Sequence, residues 1–155
     1  MACWGAGTQP SMIRATAELK TAAERILGLE SAASKRAAAK SPAAAVVSER
    51  LRRVLSTLLG AAGFRALISR AVTLAKAEVP ELRAVAVQLD GSLARLTLDD
   101  GLGEDELADG EVVLVAHILG LLVTFVGEAL MLRLVNEAWP KVRLDDLDFD
   151  KVNRD

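Results

Sequence analysis

Apolar residues recur at helical spacing over most of this chain. Leu19, Ala22, Ile26 and Leu29 follow one another at steps of three and four, which places them on one stripe of a helix. Ser11, a good N-cap residue, is the expected start of that helix. The Ala-, Ser- and Lys-rich stretch 31–40 blurs its end, as frayed helix or as linker. A second helix is expected from Ser41, with Pro42 at the first helical position, where its missing N–H costs nothing. Val47, Leu51, Val54 and Leu58 form its stripe, Leu55 and Leu59 widen it, and Gly60-Ala61-Ala62-Gly63 punctuates its end. A third helix runs from about Phe64 to Glu78 with Phe64, Leu67, Ile68, Ala71 and Ala75 on one face, and Pro80 stops it. So short a link between the second and third helices predicts a compact corner or an αα-hairpin.

The rhythm then changes. Asp90-Gly91 is a two-residue hairpin signal, with Val85, Val87 and Leu89 alternating before it and Ala94, Leu96 and Leu98 after it. Registered on that turn, the six fall on one face of a small β-hairpin within 84–98; a loop followed by a short helix over 92–98 is the other reading. Residues 99–110 read as an acidic, glycine-punctuated loop, with one helical turn at 104–108. From Glu111, with Asp109 as cap, nothing breaks the helical pattern until Pro140, except for kinks offered by Gly120 or Gly127.

Residues 112–127 include only two polar side chains, His117 and Thr124; extending the run to 135 reaches membrane-spanning length but takes in Glu128 and Arg133. His117, Gly120, Thr124, Gly127 and Glu128 recur at steps of three and four and so share one narrow face, while Leu, Val, Ile and Phe cover the others. That pattern describes a central helix wrapped by protein, with the small stripe as a candidate helix-packing or self-association interface. The sharp alternative is a membrane-associated or membrane-inserting protein that uses 112–135.

Composition narrows the class. At 155 residues and 52% hydrophobic the chain has room for one domain with a sizeable core, and three Phe, two Trp and no Tyr leave that core to Leu, Val, Ile and Ala. Cys3 is the only cysteine, so no intrachain disulfide can form. The N-terminus has neither a basic start nor an apolar run, which fits a cytoplasmic chain, and the Ala/Val/Leu/Arg/Asp-heavy composition is that of a GC-rich bacterial protein. The net charge of −2 divides unevenly: residues 1–83 hold 13 Lys/Arg and 6 Asp/Glu, residues 84–155 hold 6 and 15. Such a split can close within the fold or join one copy to another, and it argues against a nucleic-acid binder.

Candidate chemistry is sparse. His117 is the only histidine, and Glu128 lies about 16 Å further along the helix axis, too far to touch it. The acidic loop misses the calcium-site pattern at its third and twelfth positions, Leu107 and Ala116, and no CxxC, HExxH or histidine cluster offers zinc a ligand set. Gly60-Ala61-Ala62-Gly63 lacks the GK[ST] ending of a phosphate loop. Arg50, Arg52 and Arg53 make the densest basic surface, read as a solvated or ion-paired face.

These features predict an all-α or nearly all-α bundle around one long apolar C-terminal helix, with a flexible leader at 1–10, a single helical domain at 11–140 and an acidic tail at 141–155. No catalytic residues, cofactor or metal are expected. The function expected is non-catalytic: a binding, scaffolding or regulatory protein acting through a second copy or a protein partner. An apolar small-ligand bundle is a further alternative.

Overall fold

A computed structural model describes residues 16–37, 43–89, 91–94 and 104–144. The architecture is an all-α bundle: α1 (Ala17–Ala37), α2 (Ala43–Glu78), a 3-10 turn (Pro80–Ala84), the short strands β1 (Ala86–Val87) and β2 (Leu93–Ala94), α3 (Glu104–Val126) and α4 (Glu128–Ala138). The leader, the starts at Ser11 and at Ser41-Pro42, and the tail beyond 144 lie outside the described residues. What is described of α1 starts at Ala17, and Thr16 caps it: its Oγ1 accepts the Leu19 N–H at 3.2 Å.

The element α2 is two helical limbs joined at one residue. Gly60 holds φ 76 and ψ 166, a region that only glycine enters readily, and Ala61-Ala62-Gly63 are already helical. The expected four-residue link is therefore a single-residue corner. Its sharpness follows from the contacts of its ends. The Ala44 N–H reaches Glu111 Oε2 at 2.8 Å, and Glu78 reaches His117 at 3.0 Å. Glu111 and His117 lie about 9 Å apart along α3, whereas a straight 36-residue α2 would span about 54 Å. The second limb must fold back beside the first.

The long C-terminal helix bends in the same way. It starts at Glu104 rather than Glu111, running through Asp109 and Gly110, and breaks at Gly127 with φ 90 and ψ 159. Gly120 stays inside the helix. With regular helix on both sides, the dihedrals of the joining residue set the angle between limbs, so Gly60 and Gly127 make nearly the same corner. The surrounding sequence repeats too. Thr57-Leu58-Leu59-Gly60 matches Thr124-Phe125-Val126-Gly127, and at the same offset Val47, Leu51, Leu55, Phe64, Leu67 and Ile68 match Leu114, Ile118, Leu122, Met131, Leu134 and Val135. All twelve of those apolar side chains are buried. The fold is two equivalent bent helices, with α1 packed against both.

The first part of the apolar run is covered by protein, since residues 113–120 are all buried, while towards its end Thr124 and Phe125 are exposed. Each fully buried Leu or Ile there contributes about 1.5–3 kcal/mol of transfer free energy. Gly110 allows close packing on the 3-10 turn, since a Cβ there would stand 2.7 Å from Leu82 Cδ2. Burial continues past Pro140, where Val142 and Leu144 join the core, so the packed body extends beyond the expected boundary at 140.

The hairpin forms, in a different register. Ala86 pairs with Ala94 and Val87 with Leu93, and the Gln88 N–H meets the Ser92 carbonyl at 2.8 Å. This register leaves a connection between Gln88 and Ser92 that is one residue longer than the expected two-residue turn, and Gly91 takes φ 87 in it. Leu93, not Ala94, therefore stands opposite Val87, because a one-residue shift moves every side chain to the other face. Leu96 and Leu98 lie outside the described residues. The connection seats on α2: a Cβ on Gly91 would fall 2.8 Å from the Phe64 ring.

Candidate functional site

Three carboxylates tie the helices together inside the bundle. Glu78, at the end of α2, accepts from Lys20 Nζ of α1 on Oε2 at 3.0 Å and lies 3.0 Å from His117 Nε2 of α3 through Oε1. A carboxylate held by an ammonium can only accept, so His117 carries its proton on Nε2. Burial pushes the His117 pKa below its ordinary value of 6.5; Glu78 acts in the opposite direction and Lys20 reinforces the lowering. The imidazole is 4% exposed, and among the described residues Glu78 is its one hydrogen-bond partner. The arrangement can hold a neutral histidine in place. It presents no nucleophile at the ring and no opening to substrate among the described residues.

Glu30 forms the second knot. It is 2% exposed, its Oε2 accepts the Trp139 indole N–H at 2.7 Å, and Arg50 Nε donates to the same oxygen. This joins α1, α2 and the end of α4. The third is Glu111, whose Oε2 takes the Ala44 N–H; burial raises its pKa above 4.5 and that hydrogen bond lowers it in part. Arg25 ties α1 to the chain beyond α4 by donating to the Arg143 carbonyl.

The expected stripe divides along its length. His117 is paired with Glu78, and Gly120 faces α1, where a Cβ would stand 3.1 Å from Leu19 Cδ1. That close approach is to a side chain rather than to a neighbouring backbone. Thr124 is exposed and returns its hydroxyl to the Gly120 carbonyl at 3.0 Å; Gly127 is the corner, and Glu128 opens α4. The stripe is thus an internal contact in its first half and a corner in its second. The basic surface also divides: Arg50 turns to buried Glu30, Arg52 pairs with Glu49 at 2.6 Å, and Arg53 is exposed.

Sequence reasoning missed Glu30, Glu78 and Trp139. The available signal for Glu30 was its position, four residues after Ile26 on the apolar stripe of α1, where a charge demands an answer inside the fold. It also missed the corners as surface. Leu58 and Phe125, each two residues before its corner glycine, are 50% and 62% exposed, while their neighbours Leu55 and Leu122 are fully buried.

One open cleft of roughly 580 Å³ lies between α2 and the hairpin, lined by Arg65, Val87, Gln88 and Leu89. Its openness suits an extended chain better than a small apolar ligand. No group of three or more His, Cys, Asp or Glu fit to hold a metal occurs among the described residues. Neither a protein-family model, nor a curated protein, nor a solved structure matches this chain.

Proposed function

We propose that this chain is a non-catalytic helical binding or scaffolding protein that works by association with a second copy, through its two glycine corners. The observation that carries the reading is the exposure of Leu58 and Phe125 at equivalent places of the repeat. The buried carboxylates Glu30 and Glu78 are answered within the fold, which supports a structural use of these charges. Large apolar side chains left in water at two matched positions fit a self-complementary contact, in which the same surfaces of two copies meet.

Size-exclusion chromatography with light scattering tests this. The wild type is expected to gain mass with concentration, and Leu58→Asp with Phe125→Asp to remain monomeric with unchanged helical circular dichroism. A wild type that stays a strict monomer at high concentration overturns the reading.

The membrane reading has one supporting observation: Ala43–Glu78 and Ala108–Val126 are long and apolar enough to cross a bilayer. Two facts weigh against it. The outward side of α2 carries exposed Arg53, Arg65 and Arg70, and residues 113–120 are covered by protein. Fractionation without detergent separates the two readings, with recovery in the pellet favouring the membrane.

A further inference from the structure

We propose that the outer face of the second limb of α2, with the hairpin tip beside it, docks on an anionic lipid surface. Residues 50–77 hold six Lys or Arg and no Asp or Glu. Arg50 and Arg52 are engaged by Glu30 and Glu49, whereas Arg65, Arg70 and Lys76 of the second limb have no ion-pair partner among the described residues. The helical period sets those three around the side away from the core. Phe64, Leu67, Ile68, Ala71 and Ala75 are buried on the inner side. Arg65 and Lys76 fall about 20° apart on one shoulder of the outer side, and Arg70 falls on the other shoulder.

The second observation is apolar. Leu89, at the hairpin tip, is 87% exposed, more than either corner residue, and it lines the open cleft together with Arg65. An apolar side chain and an unpaired cation thus border one opening. An anionic lipid surface answers both: its phosphates attract the arginines and the lysine, whose long stems reach the headgroups, and the leucine enters the acyl boundary. A nucleic acid answers only the charge. It would leave Leu89 in water, and Phe64, the one aromatic residue of this limb, is fully buried and offers a base no stacking surface. The limb therefore lies on the lipid rather than across it. The contact uses neither Leu58 nor Phe125 and so goes beyond the self-association reading.

Flotation of the full chain with vesicles tests this. Binding is expected to vesicles of phosphatidylcholine with phosphatidylglycerol and not to phosphatidylcholine alone. Salt at about 0.5 M should release the protein, since screening then confines surface charge to about 4 Å. Arg65→Gln and Arg70→Gln, exposed changes that circular dichroism should show to be folded, are each expected to weaken binding about fivefold, the scale of one cation near an anionic surface. Leu89→Ser should weaken it about tenfold and leave its salt dependence unchanged. No binding to the anionic vesicles, equal binding to neutral ones, or binding that survives high salt as a spanning helix would overturns the proposal. So does binding that the three variants leave unchanged, or stronger binding to duplex DNA than to the anionic vesicles.

Discussion

His117 and Glu78 meet side chain to side chain at 3.0 Å where the end of α2 crosses α3. The pair sits at the open end of the bent α2, away from the Gly60 corner, so its protonation state bears on whether that end stays docked on α3. Because burial lowers the folded pKa of His117, the unfolded chain binds the proton more readily. The stability His117 contributes is present above about pH 6.5 and is lost as pH falls through the lower folded value. Urea unfolding between about pH 7 and pH 5 should therefore show wild-type stability falling more steeply than that of His117→Gln, which keeps a donor and does not titrate. Parallel slopes would refute this.

The corner glycines allow a direct comparison. Gly60 and Gly127 have open space where a Cβ would go, so their requirement is conformational. Replacement of either by Ala is expected to cost about 1–3 kcal/mol. Gly28, inside α1 with nothing near it and no positive φ, should respond in the opposite direction, with Gly28→Ala stabilising by about 0.5–1 kcal/mol. Denaturant midpoints of the three variants check both signs in one experiment.

Removing the indole N–H while keeping an aromatic ring isolates the Glu30 knot. Trp139→Phe is expected to cost about 1–3 kcal/mol, more than its lost area explains, because the buried Glu30 carboxylate loses a donor. Glu30→Gln should be better tolerated than Glu30→Ala, as the amide oxygen still accepts from Trp139 and Arg50. Equal losses for the two variants would count against the hydrogen bonds as the cause.

Ser48 makes the converse case. Its hydroxyl is buried with no hydrogen-bond partner among the described residues, one helical turn beyond Ala44. Ser48→Ala removes a polar group that gains nothing from its surroundings, so thermal unfolding should show a neutral to stabilising change of up to about 1 kcal/mol.

Much of this fold was legible in the spacing of apolar residues. Leu19, Ala22 and Ile26, Val47, Leu51 and Leu55 of α2, and residues 113–120 are buried as their periodicity requires. Leu29, Val54 and Leu59 are only partly buried, and Leu58 and Phe125, expected in the apolar stripe and run, are 50% and 62% exposed. Pro80 marked the end of α2 because proline acts on the residue before it, through local sterics alone. The hairpin register was missed because Asp90-Gly91 serves both two- and three-residue connections, and Phe64 packed against Gly91 accompanies the longer one. The start of α3 was missed because Gly110 looks like punctuation until Leu82 is found pressed against it.

The polar knots were less legible. His117 was visible as a lone histidine, but Glu78 lies 39 positions away and Trp139 lies 109 from Glu30, and no local pattern pairs residues so distant. The corners were half visible. Glycines at 60 and 127 suggested breaks, yet the match between them depends on dihedral angles, and those come only from coordinates.

The corner geometry also bears on how quickly the chain finds its structure. Each corner brings together limbs that are neighbours in sequence, so a bent unit can close over a short loop before the two units meet. Low contact order of that kind belongs to proteins that fold in microseconds to milliseconds. The slow step then falls to the docking of one bent unit on the other with α1, and stopped-flow refolding should place it in the group that joins Ala44 to Glu111 and Glu78 to His117.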